Sequence, residues 1–395
     1  MKTVLPYCKA FVLLIAAYFV FAVLSCLLPD KSIKANIEKS ISVLSEEGAY
    51  PKTILKMDQC RMDNFTDALI MNQIYNINRR RPVHAAMKVV RSDEVGRDWD
   101  QIGLLHRKVK GEDLEEADYP RYWHGSTFLY RFFFMTMDLN LLRWWLFAIS
   151  TLLMVALFCV FYRESGLLKT LALALGFVVT CGFMAQFSLQ FFPILALSAI
   201  TCLLVMKRDP SKGFGTLFFI VGSLTCYFDL LTTPLLTLGI PLAVMLSLKR
   251  NEGFLLKDNL WEVCRLALLW GIGFALTFVT KWALATLFLD QNTFVDAFNV
   301  GLYRLGAEEF TRWDAVARNF NMMNLPMICI AALLFLVINV VRRRKLSWKK
   351  AVVFLLVGLM PYVWYFLLSN HSYLHWWFTY RLQAISVISL FFMTF

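Results

Sequence analysis

Long apolar runs recur along almost the entire chain, and they constrain its fold more than any other feature of the sequence. The first run extends from Ala10 to Leu28 without a charged residue, which is long enough to cross a bilayer as a helix. Within a bilayer each backbone N–H and C=O group must be paired inside the protein, and a helix pairs them within the segment itself. The sequence therefore predicts an all-α polytopic membrane protein.

About ten transmembrane helices are expected, in three regions. Residues 1–28 are predicted to form the first helix, an uncleaved signal anchor, and residues 140–395 a multi-helix transmembrane domain. Between them, residues 29–139 contain nearly equal numbers of acidic and basic residues and no run long enough to span, so we expect a large, mainly helical extracytoplasmic loop. The later helices are predicted near residues 140–162, 170–186, 189–206, 214–230, 232–248, 262–289, 322–341, 350–368 and 382–395.

The positive charge of the chain is concentrated in short loops between the apolar runs. Lys and Arg number 40 against 28 Asp and Glu, a formal net charge of +12. Short loops rich in Lys and Arg face the cytoplasm in membrane proteins. This distribution predicts a cytoplasmic N-terminus and an extracytoplasmic large loop, and it argues against nucleic acid as a partner. The basic loops are residues 163–169, 207–212, 249–257 and 342–350.

The cysteines follow the apolar runs. Of the nine, Cys60 is the only one within the predicted loop, and the other eight lie in or beside apolar segments. This arrangement predicts neither a disulfide framework nor a CxxC metal pair. The cysteines are interpreted as small membrane-buried hydrophobic residues.

Two carboxylates, Asp63 and Asp67, lie near the start of a segment whose apolar residues recur at helical spacing. Residues four apart share one face of a helix, and residues 63–77 are expected to lie as a helix along the membrane surface. A carboxylate held near an apolar surface can act as a general base toward a sugar hydroxyl. The alternative is that Asp63 only caps the helix that follows.

An aromatic and basic segment comes just before the second predicted transmembrane helix. Arg121, Tyr122, Trp123 and His124 are consecutive there. Tyr and Trp are ordinary anchors at a membrane interface. With Arg121 and His124 beside them, the same residues also suit phosphate binding and stacking on sugar rings.

Ionisable residues between or within apolar runs are costly, so they indicate either function or a buried partner. Asp229 lies between two predicted helices, and Lys281 lies deep in another apolar run. Asp229 is a candidate substrate-binding residue or the partner of a buried base. Lys281 is a candidate phosphate ligand, although a paired or snorkelling lysine is the alternative.

Residues 370–381 combine histidine, aromatic and arginine side chains in one predicted outer loop. His371 and His375 have the i, i+4 spacing of a helical metal site, but no carboxylate accompanies them, so an anion site is favoured. Arg381 suits bidentate recognition of a phosphate, with His371 and Arg304 as further candidates. Trp376 is a candidate for stacking on a sugar ring.

The predicted layout consists of a first helix, a large outer loop with an early acidic pair, and many further helices. This layout resembles that of the GT-C superfamily of membrane glycosyltransferases. Those enzymes take a sugar from a polyprenyl-phosphate carrier and use an acidic residue of the first outer loop. The chain departs from the family pattern because its acidic pair is DxxxD rather than adjacent or DxD. The segments MDNFTDA, RYWHG, YFDLLTTP and HSYLHWWFTYR are also similar to those of uncharacterised membrane proteins of Gram-positive bacteria.

These resemblances imply an enzyme of the bacterial plasma membrane that transfers a sugar, with inversion, from an undecaprenyl-phosphate donor to an envelope glycan or lipid. Asp63 or Asp67 would deprotonate the acceptor, and the cations would hold the phosphate leaving group. This reaction requires no cofactor, and whether a divalent metal takes part is left open. Two alternatives are a transporter or flippase of a lipid-linked glycan, with interrupted helices and a midplane site, and a non-enzymatic partner in envelope assembly.

Overall fold

The computed structural model describes residues 4–54, 56–94, 100–249, 251, 253–307, 309–342 and 346–395. These residues are mostly helical, as the apolar runs predicted. The helices are α1 (Leu5–Cys26), α2 (Asp30–Glu47), α3 (Asn64–Tyr75), α4 (Pro82–Lys88), α5 (Gln101–Val109), α6 (Gly125–Phe134), α7 (Leu139–Ser165), α8 (Leu167–Val179), α9 (Phe192–Lys207), α10 (Gly215–Phe228), α11 (Leu236–Leu248), α12 (Leu256–Leu289), α13 (Thr293–Leu305), α14 (Arg312–Phe320), α15 (Leu325–Val341), α16 (Trp348–Leu367), α17 (Ser369–Leu374), α18 (Trp376–Thr379) and α19 (Ala384–Phe392).

Four of these helices, α1, α7, α12 and α16, are long and apolar enough to cross a membrane. The consecutive helices α14 and α15 would make a fifth span if they are counted together, with a bend of 67° between them. The chain is therefore a mostly helical protein with four or five candidate membrane spans. Parts of two predicted basic loops, residues 250, 252 and 343–345, lie outside the described residues.

The other predicted spans are shorter in the structure. Helices α8 to α11 have only 13–16 residues, so each extends about 20–24 Å against a hydrocarbon core of about 30 Å. The expected helices at 170–186 and 189–206 are separated by a 3₁₀ turn, Gly182–Phe187. The last expected helix, 382–395, begins with a 3₁₀ turn and continues as the nine residues of α19. Apolar composition alone does not reveal where such turns fall.

The described residues between α1 and α7 form the five helices α2 to α6 and one small sheet. Its strands, β1 (Val90–Asp93) and β2 (Glu115–Asp118), pair antiparallel with Val90 opposite Asp118. The sequence did not predict this sheet because neither strand alternates apolar with polar residues. The helices α2, α5 and α6 all pack against α3.

Helix α3 is buried on nearly all sides, which corrects the expectation of a helix lying along the membrane surface. Two of its polar residues, Asn72 and Gln73, accept hydrogen bonds inside the protein. Asn72 Oδ1 accepts a hydrogen bond from the Ser92 N–H at 2.9 Å, and Gln73 Oε1 accepts one from the Thr127 hydroxyl at 2.6 Å. These hydrogen bonds offset part of the cost of burying the two side chains, and the Gln73 Nε2 is left without a partner among the described residues.

Arg131 of α6 fixes this region to the end of α1. Its side chain is fully buried and donates to the carbonyl oxygens of Ser25 at 3.0 Å and Ile74 at 2.9 Å. It also forms an ion pair with Asp30 at the start of α2. A single guanidinium therefore joins α1, α2, α3 and α6.

Two glycines bring α10 and α12 into backbone contact. A Cβ atom on Gly222 would lie 2.0 Å from the Trp270 carbonyl oxygen, and one on Gly273 would lie 2.1 Å from that of Phe219. Only glycine permits an approach this close. The pairing fixes the end of α10, after which Asp229 follows, relative to α12, which carries Lys281.

Candidate active site

Asp63 is the N-cap of α3, and it is only 2% exposed. Its carboxylate accepts hydrogen bonds from the Thr66 N–H at 3.1 Å and from the Thr66 hydroxyl at 2.7 Å. Burial raises the pKa of Asp63, while the two Thr66 hydrogen bonds and the charge of Arg381 oppose the rise. The capping interaction is therefore present, and the carboxylate also lies within the field of a buried guanidinium.

Asp67, one turn later, joins three parts of the fold. One carboxylate oxygen lies 3.1 Å from an Nη of Arg143, and the other accepts a hydrogen bond from the Leu189 N–H at 2.9 Å. Arg143 also binds Glu47 at 2.9 Å. Burial raises the pKa of Asp67 to about 7, although Arg143 pulls it down. Both oxygens are engaged within the protein, which is the arrangement of a structural carboxylate.

Arg381 lies in the 3₁₀ turn before α19 and is 3% exposed. One Nη donates to the Arg61 carbonyl oxygen at 2.8 Å, and the guanidinium carbon lies 5.0 Å from the centre of the Phe191 ring. Its Nε is buried and has no hydrogen-bond partner among the described residues. Buried polar atoms are normally paired, so this atom is a candidate for ligand binding.

Asp229 follows α10 and is buried. One of its oxygens accepts from the Gln190 amide at 3.2 Å and from the Thr232 N–H at 3.1 Å. The other polar end of Gln190, its Oε1, is buried without a hydrogen-bond partner in the described part of the chain, and so is the Thr233 hydroxyl. The segment around Asp229 therefore has unused hydrogen-bonding capacity, as Arg381 does.

A small cavity connects these two groups. Its volume is about 20 Å³, and Thr180, Thr233 and Arg381 line it together with mainly apolar residues. A cavity of this size holds roughly one water molecule. We call Asp63, Arg381, Gln190, Asp229 and Thr233 the carboxylate–guanidinium cluster, of which Arg381 and Thr233 line this cavity.

The segment at 121–124 forms a second group, the aromatic cluster of Arg121, Tyr122, His124 and Arg304. Arg121 forms an ion pair with Asp296 of α13 at 3.1 Å. The guanidinium of Arg304 lies 5.5 Å from the centre of the Tyr122 ring. Burial lowers the pKa of His124 to about 3, so this imidazole is neutral at physiological pH. The cations of this cluster are therefore Arg121 and Arg304.

Trp123 and Lys281 are engaged within the protein. The Trp123 indole is fully buried and donates to the Thr277 carbonyl oxygen at 2.8 Å. The Lys281 ammonium donates to the carbonyl oxygens of Ala86 at 3.2 Å and Met87 at 2.9 Å. Stacking on a sugar requires an exposed ring face and phosphate binding requires an available donor, so these contacts argue against both predicted roles.

His371 and His375 lie together, with ring centres 4.9 Å apart. The Nε2 of His371 is 2.7 Å from the Leu231 carbonyl oxygen, which links this segment to that of Asp229. Burial, with a smaller effect from Arg304, lowers the pKa of both histidines, that of His375 to about 4. Neither residue therefore offers a positive charge to a phosphate at neutral pH.

Trp376 is half-buried between two cations. The guanidinium carbons of Arg61 and Arg318 lie 5.2 and 5.4 Å from its ring. Arg61 belongs to the segment just before Asp63, so Trp376 lies next to the carboxylate–guanidinium cluster. This position suits the predicted role in sugar stacking better than that of Trp123.

The sequence did not indicate Gln190 and Arg143. Gln190 lies at the start of the predicted helix 189–206, and Arg143 lies at the start of the predicted helix 140–162. A polar side chain inside an apolar stretch was the available signal, since such residues are expensive in a membrane.

Among the described residues, no group of three or more His, Cys, Asp or Glu side chains is placed to hold a metal ion. A larger cavity of about 580 Å³ lies away from the predicted site residues. Its lining includes Lys34, Tyr75, Arg79, Arg80 and Lys88.

No family model matches the sequence, and searches among curated proteins and solved structures found no similar chain.

Proposed function

We propose that the chain is a membrane glycosyltransferase of the GT-C kind, which transfers a sugar from a polyprenyl-phosphate donor to an envelope glycan or lipid. The observation that supports this most directly is a buried carboxylate, Asp63, within the electrostatic field of a buried guanidinium, Arg381, whose Nε has no hydrogen-bond partner among the described residues. A base for the acceptor and a cation for the leaving phosphate are the two groups that this reaction requires.

In the proposed reaction Asp63 accepts the proton of the acceptor hydroxyl as its oxygen attacks the anomeric carbon. The bond from that carbon to the phosphate oxygen breaks on the opposite face, so the configuration inverts. The negative charge left on the polyprenyl phosphate is stabilised by Arg381, with Arg304 and Arg121 as further cations for the donor. Asp67 positions α3 through Arg143 rather than touching the substrate.

Substrate binding requires a movement, because the cavity beside Arg381 holds about one water molecule. We infer that the opening lies between Tyr50 and the aromatic segment 376–377. The Tyr50 ring packs against Trp377 with centres 4.9 Å apart, and burial, together with the nearby Asp63 carboxylate, raises the pKa of its phenol. Moving these side chains aside would expose Asp63 without disturbing Asp67.

The proposal places the region between α1 and α7 outside the cell and the N-terminus in the cytoplasm of a bacterium. It also retains about ten membrane-inserted segments, with α8 to α11 packed against the long helices and against each other. Short helices are stable within a membrane when neighbouring protein surrounds their ends.

This orientation is testable by labelling with a membrane-impermeant maleimide. A cysteine replacing Glu115 in β2 is expected to react in intact cells, whereas one replacing Lys212 reacts only after the cells are made permeable. The background chain should lack the exposed native cysteines Cys8, Cys159, Cys264 and Cys329. Reaction of the Lys212 position in intact cells would reverse the orientation and place the candidate site on the cytoplasmic side.

The leaving-group role is testable with Arg381→Lys. A lysine keeps the charge but not the planar fork of donors, so transfer from a polyprenyl-phosphate-linked sugar by purified enzyme is expected to fall by roughly 10²–10³-fold. Arg312→Lys is the matched control, because Arg312 also donates to two carbonyl oxygens, those of Phe366 and Leu305. If the two variants transfer equally well, Arg381 does not bind the phosphate.

Transport of a lipid-linked glycan is the second candidate, and the 67° break between α14 and α15 favours it. Interrupted helices are typical of transporters, and proline lies inside both α11 and α16. In reconstituted vesicles a flippase would move a labelled lipid-linked sugar across the bilayer without releasing polyprenyl phosphate. An enzyme releases polyprenyl phosphate in step with transfer.

A further inference from the structure

Two cysteines that are distant in sequence meet in the structure. The Sγ atoms of Cys60 and Cys181 are 2.6 Å apart, although the residues are separated by 121 positions. Cys60 ends a 3₁₀ turn in the region between α1 and α7, and Cys181 lies in the turn after α8. Both side chains are buried, at 1% and 5% exposure.

The backbone on each side of the two cysteines is held in place by other contacts. The Tyr380 hydroxyl lies 2.6 Å from the Gln59 carbonyl oxygen and 2.8 Å from that of Thr180, the residues that precede the two cysteines. The Thr53 hydroxyl donates to the Cys60 carbonyl oxygen at 3.0 Å. The contact between the two thiols therefore lies where the segments before Cys60 and Cys181 pack against Tyr380.

A shared metal ion does not account for this geometry. Zinc–sulfur bonds are about 2.3 Å, so two thiolates on one tetrahedral zinc ion stand about 3.8 Å apart. A disulfide, in contrast, needs the two sulfur atoms in direct contact.

We propose that Cys60 and Cys181 form a disulfide that joins the Asp63 segment to the turn after α8, beside the cavity that Arg381 lines. Each thiol loses a proton, a sulfur–sulfur bond forms through a mixed disulfide, and two electrons pass to the disulfide of a thiol oxidoreductase, which becomes a dithiol. This proposal rests on the orientation of the proposed function, because disulfides persist on the oxidising side of a membrane.

The disulfide limits how the site can open. Cys60 is three residues before Asp63, and Cys181 follows Thr180 on the wall of the cavity that Arg381 lines. The bond would hold the base and the phosphate ligand at a fixed separation. Opening for substrate then occurs on the side of Tyr50 and Trp377, away from the bond.

The test counts free thiols in the full chain. Wild-type protein is taken from cells quenched in acid, unfolded in SDS, and treated with a maleimide that carries a polymer of defined mass. Without reductant the protein is expected to gain seven polymers, two fewer than its nine cysteines allow. After reduction it is expected to gain all nine. Because the protein is unfolded before labelling, the result does not depend on the folding of any variant.

Single variants identify the pair. Cys60→Ser and Cys181→Ser should each label to the same extent with and without reductant, whereas Cys202→Ser, another buried cysteine, should keep the difference of two. Nine reactive thiols in unreduced wild-type protein would overturn the disulfide. If the Glu115 position still labels from outside in that case, the orientation stands and only the disulfide fails.

Discussion

Asp63→Asn is expected to reduce sugar transfer by roughly 10²–10⁴-fold, the usual cost of removing a general base, while the chain still inserts and folds. An asparagine side chain can accept the Thr66 hydrogen bond that Asp63 accepts, so α3 keeps its cap. The measurement is release of polyprenyl phosphate by purified enzyme, beside the unfolding midpoint of the same sample.

Asp100→Asn is the matched control for this variant. Asp100 caps α5 by accepting from the Gly103 N–H at 3.0 Å, the same local role that Asp63 has in α3, and it lies at an exposed position. If Asp63→Asn behaves like Asp100→Asn and retains activity, Asp63 is only a cap. If Asp67→Asn is then inactive but folded, the base is Asp67.

The pH dependence of transfer gives an independent readout. A general base acts in its ionised form, so the rate should rise as the pH increases through the pKa of Asp63, which burial raises above its ordinary value. In Asp63→Asn the residual rate should lose this rise. A cap would show no such difference between wild type and variant.

Arg143→Ala is expected to lower the free energy of unfolding by roughly 3–5 kcal/mol, because it leaves a buried carboxylate without its partner. The Asp67 side chain is 1% exposed and Arg143 7%. Unfolding of purified protein in denaturant with detergent measures the loss. Arg107→Ala, which removes a guanidinium paired with Glu94 and Glu112 at an exposed site, should change the midpoint little.

The effect of Arg143→Ala should depend on pH. Without the guanidinium the pKa of Asp67, already raised to about 7 by burial, rises further. The folded variant then binds a proton more tightly than the unfolded chain, so its stability is retained in acid and lost as the pH rises through that higher pKa. Arg143→Ala with the same stability as wild type at pH 8 would contradict the structural role of the pair, and Asp67→Asn in the same chain should recover part of the loss.

The sequence predicted the helical character of the chain and where its longest helices lie, because uninterrupted apolar runs require helix. It could not predict the short helices α8 to α11, since a run of apolar residues looks the same whether it crosses the bilayer or turns back. The sequence also did not predict that α3 is buried. The spacing of its apolar residues indicated a single buried face, whereas Asn72 and Gln73 are also buried and accept hydrogen bonds from partners 20 and 54 residues away.

The candidate site was predictable in part. Asp63 stood out as one of two carboxylates four residues apart at the start of a helical pattern, and Asp229 and Arg381 stood out because ionisable groups at the ends of apolar runs are costly. The sequence placed Trp123 and Lys281 in the same site, yet both side chains donate hydrogen bonds to carbonyl oxygens of neighbouring helices. Composition cannot reveal such contacts. Cys181 was interpreted as a membrane-buried residue, so its contact with Cys60 was not foreseen.

The contacts of Tyr380 and Arg381 set the order in which the protein can be completed. Tyr380 reaches Gln59 across 321 positions of sequence, and Arg381 reaches Arg61 across 320. At a synthesis rate of about 5–20 residues per second, the segment before Asp63 waits roughly 16–64 s after it is made before these partners exist. During that interval the carbonyl oxygens of Gln59 and Arg61 are without the donors that they have in the finished fold, so the segment before Asp63 reaches its final packing only when the end of the chain arrives.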